Sequence, residues 1–427
     1  MTSRERVMAA IAHKEPDYVP MDLGATPSSG ISAIAYNNLK EHLKMTEGHT
    51  RIYDVVQQVV TPEMEILDCF GADVLDIGRA FNDRDEDWHD IELANGSTGQ
   101  YPIWFRPQEK ENGDKIVVDK DGIQIARMPV GATFFDQTYF PYQDDYPDDY
   151  SDLDYQMSKV LWSALAHSPW DHAMEKDFYK DLRKRTLDLR ASTDKALMIT
   201  CGCNLFEWGT FLRRMDNFLM DLYADEENVE RLVNELMVRH LSTLEKVCES
   251  VGDVVDILRF GDDLGMDTGM FMSREKYQKL FKPYHSQLNE YVHKHSNMKT
   301  FLHSCGSIYP IIGDLIDAGY DVLNPVQTTA YQMDPATLKK EFGQHITFWG
   351  GGCNTRSILN RSTPEEVYDY SRRMIDIFST GGGFVFNTEH NIMPDVPAEN
   401  IVAMYQALND ARGRKQNLEE LILTSGR

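Results

Sequence analysis

A chain of 427 residues, 42% of them hydrophobic, can bury a large core as one big domain or two. Its formal net charge of −25 argues against a nucleic-acid or anionic-membrane partner, and its six cysteines are too sparse for a disulfide framework. No apolar run reaches transmembrane length and no basic–apolar–small leader stands at Met1 to Arg4, so the expected location is the cytoplasm.

In chain order, Ser3 to Ala12 predicts a short amphipathic helix with Val7, Met8 and Ile11 on one stripe. Pro16 and Pro20 bracket the entry to a first strand, Val19 to Leu23, which Gly24 ends. Helices are expected over Ile31 to Leu43 and Thr61 to Phe70, followed by a buried strand at Ala72 to Ile77. From Arg84 to about Gln143 aromatic and β-branched residues alternate with polar ones. Asn95-Gly96, Asn112-Gly113 and Asp121-Gly122 break the pattern, which predicts an antiparallel, hairpin-rich insertion. With its acidic connector it spans about 84–154, and its Trp88, Tyr101, Trp104, Phe134 and Phe135 are expected to narrow an entrance.

Beyond it the chain becomes regular. Strands are predicted at Leu197–Thr200, Val255–Phe260, Thr300–Leu302, Val322–Leu323, Ile346–Trp349 and Phe384–Phe386. Helical patterns lie between most of them, at Val229 to Cys248, Arg274 to His293, Tyr309 to Ala318 and Pro364 to Phe378, with another before them at Ala173 to Ser192. Thr363-Pro-Glu-Glu366 is a strong helix start, with an N-cap, a first-turn proline and acids facing the dipole. Eight strands alternating mostly with helices predict a closed (β/α)8 barrel, a single domain over 1–427 with a short helical N-terminal extension.

In such a barrel the polar residues that end the strands converge at the C-terminal face. His303 and Cys305 stand two apart at a strand end, so in an extended segment both side chains point to one side and can share a soft cation such as zinc. Cys353 ends the next strand but one, after three glycines, and His390 ends the last. Two ligand sets are open. With Cys353 two thiolates cancel the Zn²⁺ charge, while with His390 one positive charge remains to polarise an ether or alcohol oxygen. Asp262, at the end of the Val255–Phe260 strand, is a candidate for substrate or proton handling, and Glu207 for a ligand, a base or a loop cap. Asn324, Gln327 and Glu389 are candidates for substrate contact. Cys201 and Cys203 are read as packing residues, and His285, His293 and His295 as surface residues on a helix.

The motif set resembles the uroporphyrinogen decarboxylase superfamily, above all its cobalamin-dependent methyltransferases. It comprises Arg4 to Val7 with Asp17 to Pro20, Asp262-Asp-Leu-Gly265, His303-Ser-Cys-Gly-Ser307, Asp321 to Gln327, Trp349 to Cys353, Thr363 to Val367, His390-Asn-Ile392 and Val396 to Asn400. The resemblance implies a barrel, commonly dimeric, with its site at the strand C-termini. Decarboxylases of the family use an arginine-rich segment after the first strand, whereas Met21 to Gly30 here has no arginine. The methyltransferases bind zinc through His-Xaa-Cys and a later cysteine. His303 and Cys305 match the first two, and the third position falls at His390, with Cys353 one strand earlier. The implied activity is zinc-dependent transfer of a methyl group between a small methylated ether, amine or thiol and cobalamin. No Asp-Xaa-His-Xaa-Xaa-Gly pattern occurs, so the cobalamin would come on a separate corrinoid protein. The alternatives are a decarboxylase acting on a porphyrinogen or other carboxylate, and an inactive ligand-binding barrel.

Overall fold

Strands that are apolar at nearly every position need cover on both faces, and a parallel sheet wrapped in helices supplies it. The computed structural model describes residues 1–45 and 47–413, and its main sheet has seven parallel strands. These are β1 (Val74–Asp76), β2 (Ala196–Gly202), β3 (Ile257–Gly261), β4 (Lys299–His303), β5 (Val322–Asn324), β6 (Thr347–Trp349) and β7 (Phe384–Val385). They lie side by side in sequence order. The predicted first strand shrinks to a parallel bridge between Met21 and Phe386, yet it still closes the sheet. Asp22 N–H donates to Phe386 O (3.0 Å), Phe386 N–H to Pro20 O (2.9 Å) and Asp73 N–H to Met21 O (2.8 Å). Pro20 has no N–H to give a longer ladder, and Gly24 (φ +82°) turns the chain away.

Helix α1 (Ser3–Ile11) lies across the N-terminal end of the barrel, where Val7, Ala10 and Ile11 pack on Val74, Met198, Ile257, Phe301, Trp349 and Val385 inside it. The alternate residues of the same strands, such as Leu75, Ile199, Leu258 and Leu302, face outward into the helical layer. One step further along the inward positions the chemistry changes. Asp76 follows Val74, Thr200 follows Met198, Arg259 follows Ile257, His303 follows Phe301, Asn324 follows Val322 and Asn387 follows Val385. An apolar floor thus carries a polar ring.

The hairpin insertion forms as expected. Trp88–Glu92 pairs with Thr98–Pro102, and a four-stranded sheet runs from Gln108 to Gln137. It sits on the C-terminal face, with Phe135 N–H on Val56 O (2.9 Å) and Tyr142 N–H on Leu212 O (2.7 Å). Its aromatic residues do other work than narrowing an entrance. Trp88, Tyr101 and Phe135 are buried in packing, and Trp104 and Phe134 are turned outward. Burying those rings joins the insertion to the barrel, since such a small sheet has no core of its own.

Two differences from the expected helices stand out. The helix expected from Arg274 to His293 is two, Arg274–Leu280 and Lys282–His295, because Pro283 cannot continue the first one's hydrogen bonds. The last helix, Ala398–Ala411, has no clear periodic signal in the sequence, its surface being nearly all buried. The Pro364–Phe378 helix has the expected limits, with the Thr363 hydroxyl accepting from Glu366 N–H (3.3 Å) and the Glu366 carboxylate from Thr363 N–H (2.8 Å). Among the described residues no helix is long and apolar enough to cross a membrane.

Candidate metal centre

Strand β4 delivers His303 at its last residue, and the turn after it delivers Cys305. Gly306 (φ +86°) makes that turn, where any side chain would strike Gly265. The Gln327 side chain accepts from Gly306 N–H, and Asp263 Oδ1 accepts from Cys305 N–H (2.8 Å), so the loop is held from both sides. The loop after β7 brings His390 over the same point. Ligand atoms of His303, Cys305 and His390 all lie within 4.8 Å of one another, with Cys305 Sγ 3.5 Å from His303 Nε2.

The donor set fits a cation. Asn324 Nδ2 donates to Trp349 O (2.8 Å), which fixes its amide and aims Oδ1 at His303 Nδ1, 2.8 Å away. Ser28 Oγ gives the same oxygen a second hydrogen bond (2.8 Å). His303 must therefore carry its proton on Nδ1, which leaves the Nε2 lone pair facing Cys305. His390 is set likewise, its Nδ1 donating to Asn391 Oδ1 (2.6 Å). Burial, then the nearby Arg259 charge, holds His303 well below the usual imidazole range, and burial also pushes His390 down. Both rings are thus neutral, the form that ligates. Burial, then Asp263 and Glu207, push the Cys305 thiol well up, so a bound cation is what would favour its thiolate.

Replacing Asn324 by alanine is expected to weaken zinc binding roughly 10–100-fold, the usual cost of losing an orienting partner. Competition with a chelator on folded protein measures it, and unchanged affinity would mean that the tautomer is set elsewhere.

The other sequence candidates fall in different places. Cys353 is not in the triad. It is fully buried in the outer core, and burial pushes its thiol up to about 12. Asp262 does not open on the site. Its carboxylate accepts from Phe206 N–H (3.1 Å) and Glu207 N–H (2.9 Å), the first turn of helix Phe206–Arg213, and from His285 Nε2 (3.1 Å). His285 is therefore buried rather than on the surface, with Tyr277 OH 3.1 Å from its other nitrogen. Helical periodicity cannot separate an inward histidine from an outward one when its partner comes from a distant strand.

Glu207 is held by Asn204 Nδ2, and burial, followed by Asp263 and Asp262, pushes its carboxyl well up. Glu389 is spent on support, accepting from Thr328 N–H (2.9 Å) and Asn354 Nδ2 (2.7 Å), and burial pushes it up to about 7. Asn324 and Glu389 thus hold the protein framework, and Gln327 holds the Cys305 turn through its side-chain oxygen. Cys201 and Cys203 are buried, as expected.

Sequence reasoning missed Asp263, whose Oδ1 lies 3.7 Å from His303 Nε2, and passed over the buried Arg259. The signal for Arg259 was present, since it is two residues before the strand's last and so faces inward. Tyr53 and His167, whose rings meet at 6.0 Å, come from segments that carried no pattern.

Residues 201–411 match the uroporphyrinogen decarboxylase (URO-D) family. A uroporphyrinogen decarboxylase of Methylococcus capsulatus is 28% identical over 96 residues, 22% of this chain and 25% of that protein. One from Chloroherpeton thalassium is 23% identical over 196 residues, 43% of this chain and 53% of that one, so the chain spans at most about half of these relatives. A methyltransferase from Methanosarcina mazei shares the fold, with a TM-score of 0.57 at 13% identity over 97% of this chain and 98% of that one. The stretch that matches the uroporphyrinogen decarboxylase family, residues 201–411, contains the whole His303, Cys305 and His390 triad.

Proposed function

We propose that the chain is a zinc-dependent methyltransferase that moves a methyl group between a small methylated substrate and the cobalamin of a separate corrinoid protein. The observation that carries this reading is the triad itself. Three ligand atoms, two imidazole and one thiol, gather within 4.8 Å at the C-terminal end of a barrel, with one imidazole's free nitrogen fixed by Asn324. Three protein ligands leave a fourth position for a substrate atom, the pattern of catalytic rather than structural zinc. Of the two ligand sets open in the sequence, the geometry favours His390 over Cys353. Two neutral imidazoles and one thiolate leave zinc a net positive charge, with which it would polarise a bound ether or amine or lower the pKa of a bound thiol.

The chain's own residues prepare that position. Asn324 orients His303, Asn391 orients His390, and Asp263 with Gln327 holds the Cys305 turn. The barrel's apolar floor closes the site from below and keeps bulk water from the reacting atoms. Asp262 and its partner His285 anchor the helix that carries Glu207. Decarboxylation of a porphyrinogen is the weaker reading, because the Met21 to Gly30 loop offers no cation and its Thr26, Ser28 and Ser29 are bonded among themselves and to Asn324.

Zinc-loaded protein mixed with cob(I)alamin and a panel of methoxyaromatics, methylamines and methyl thioethers is expected to form methylcobalamin, followed by its absorbance, and to stop when a chelator removes the zinc. Uroporphyrinogen is expected to be returned unchanged. Appearance of coproporphyrinogen, without methyl transfer to cobalamin from any donor, would overturn the assignment.

A further inference from the structure

The polar ring above the barrel floor leaves several buried atoms without protein partners. Arg259 is 8% exposed, and its Nε has no hydrogen-bond partner. Glu207, Tyr53, Asp263 and Cys305 act on its charge only through space. Asn387, 1% exposed, leaves both amide atoms unbonded, and so do Thr200 Oγ1 and Tyr53 OH. Burying a guanidinium without a counter-ion costs several kcal/mol in general, and unpaired amides and hydroxyls add to it. A fold that only needed to pack would place aliphatic side chains there, as it does one layer below with Met198, Ile257 and Val385. Strain of this kind persists where a ligand relieves it.

The position of Arg259 says which part of a ligand it meets. In the β3–β4 register Arg259 lies beside Phe301, and Gly261 beside His303. Its Cα is therefore one inward position, roughly 7 Å, below the level of the metal triad.

We propose that Arg259 binds a carboxylate or similar oxyanion on the methyl-group substrate, placed a few bonds from the atom that meets the metal. The assignment rests on the triad as the reacting centre. Thr200 Oγ1, on the residue paired with Arg259 in the β2–β3 register, and the neighbouring Tyr53 OH are placed to share the oxyanion's remaining lone pairs, and the guanidinium's planar fork suits a two-oxygen group better than a lysine would. The arginine that the first loop lacks is thus supplied by a wall strand, as a single cation suited to one carboxylate rather than many.

Binding can be read without methyl transfer. Zinc-loaded protein is titrated calorimetrically with 3-mercaptopropionate and with 3-mercaptopropionamide, which share the thiol and differ in charge. The acid is expected to bind about 10–100-fold more tightly, the worth of a charge-assisted hydrogen bond. Arg259→Met should remove that preference while leaving the amide's affinity unchanged, and Arg259→Lys should restore part of it. Thermal stability is the second readout. Arg259→Met should melt at or above the parent temperature, because an unpaired buried cation is being removed. Equal affinities for acid and amide, failure of both to bind at millimolar concentration, or a preference that survives in Arg259→Met would each overturn the proposal, as would a marked loss of stability in that variant. If the preference holds and no donor methylates cobalamin, the methyltransferase reading fails and the oxyanion site stands. Methyl transfer with no charge preference does the opposite, keeping the methyltransferase and removing the oxyanion site.

Discussion

Cys305→Ala and His390→Ala should each strip the protein of zinc, from about one equivalent per chain to a small fraction, while Cys353→Ala keeps it. Cys305 is the only thiol in the triad, and no other cysteine among the described residues joins its ligand atoms. His390 supplies the third donor, so its loss leaves two ligands and water, too few for tight binding at ordinary zinc concentrations. Activity should fall by more than the roughly 10–100-fold that a lost orienting partner costs. Cys353 is fully buried away from the triad, with its Sγ 3.9 Å from Asn354 O, and its truncation should cost only about 1 kcal/mol of stability for the small cavity left. Elemental analysis of the purified variants beside thermal melts separates these outcomes. Equimolar zinc and full methyl transfer in Cys305→Ala would reduce the triad to residues that happen to meet. Zinc loss in Cys353→Ala with retention in His390→Ala would reverse the choice of third ligand.

Asp73→Ala should unfold the protein far more readily, by about 3–5 kcal/mol, the cost of removing one partner from a buried ionic network. Asp73 sits just before β1 and holds four donors at once. Its Oδ1 accepts from Ser3 Oγ (2.7 Å) and Arg6 Nη1 (2.7 Å), and its Oδ2 from Met21 N–H (2.9 Å) and Arg412 Nη2 (2.8 Å). Those partners belong to the N-terminal helix, the closing segment and the chain just past Ala398–Ala411. The two guanidiniums also approach the Tyr18 ring, at 3.6 and 4.9 Å from its centre. Losing the carboxylate leaves the buried Arg6 to Asp17 and deprives Met21 N–H of its acceptor. The barrel seam therefore opens where its backbone ladder is shortest. A lower denaturant midpoint measures the effect, and zinc content of the remaining native protein should be unchanged because the triad lies at the opposite end. A loss under about 1 kcal/mol would show that the bridge at Met21 closes the barrel unaided.

How legible the molecule was follows from how local each cause is. The insertion could be read because Asn-Gly and Asp-Gly place glycine where a tight turn needs positive φ, and Gly96, Gly113 and Gly122 all adopt it. The Pro364–Phe378 helix could be read because its cap, proline and acids lie within four residues. His303 and Cys305 could be paired because a strand's period is two. Beyond that reach the sequence is silent. Whether Cys353 or His390 completes the triad depends on how the loops after β6 and β7 fold back, and both residues end strands equally well. Asp262 looked free because its three donors come from two helices far along the chain. His285 looked exposed for the same reason. The inward alternation that carries Ile257 to Arg259 was written in the chain, but only closure of the barrel turns that inward face into a buried one, and only burial gives an unpaired guanidinium its meaning.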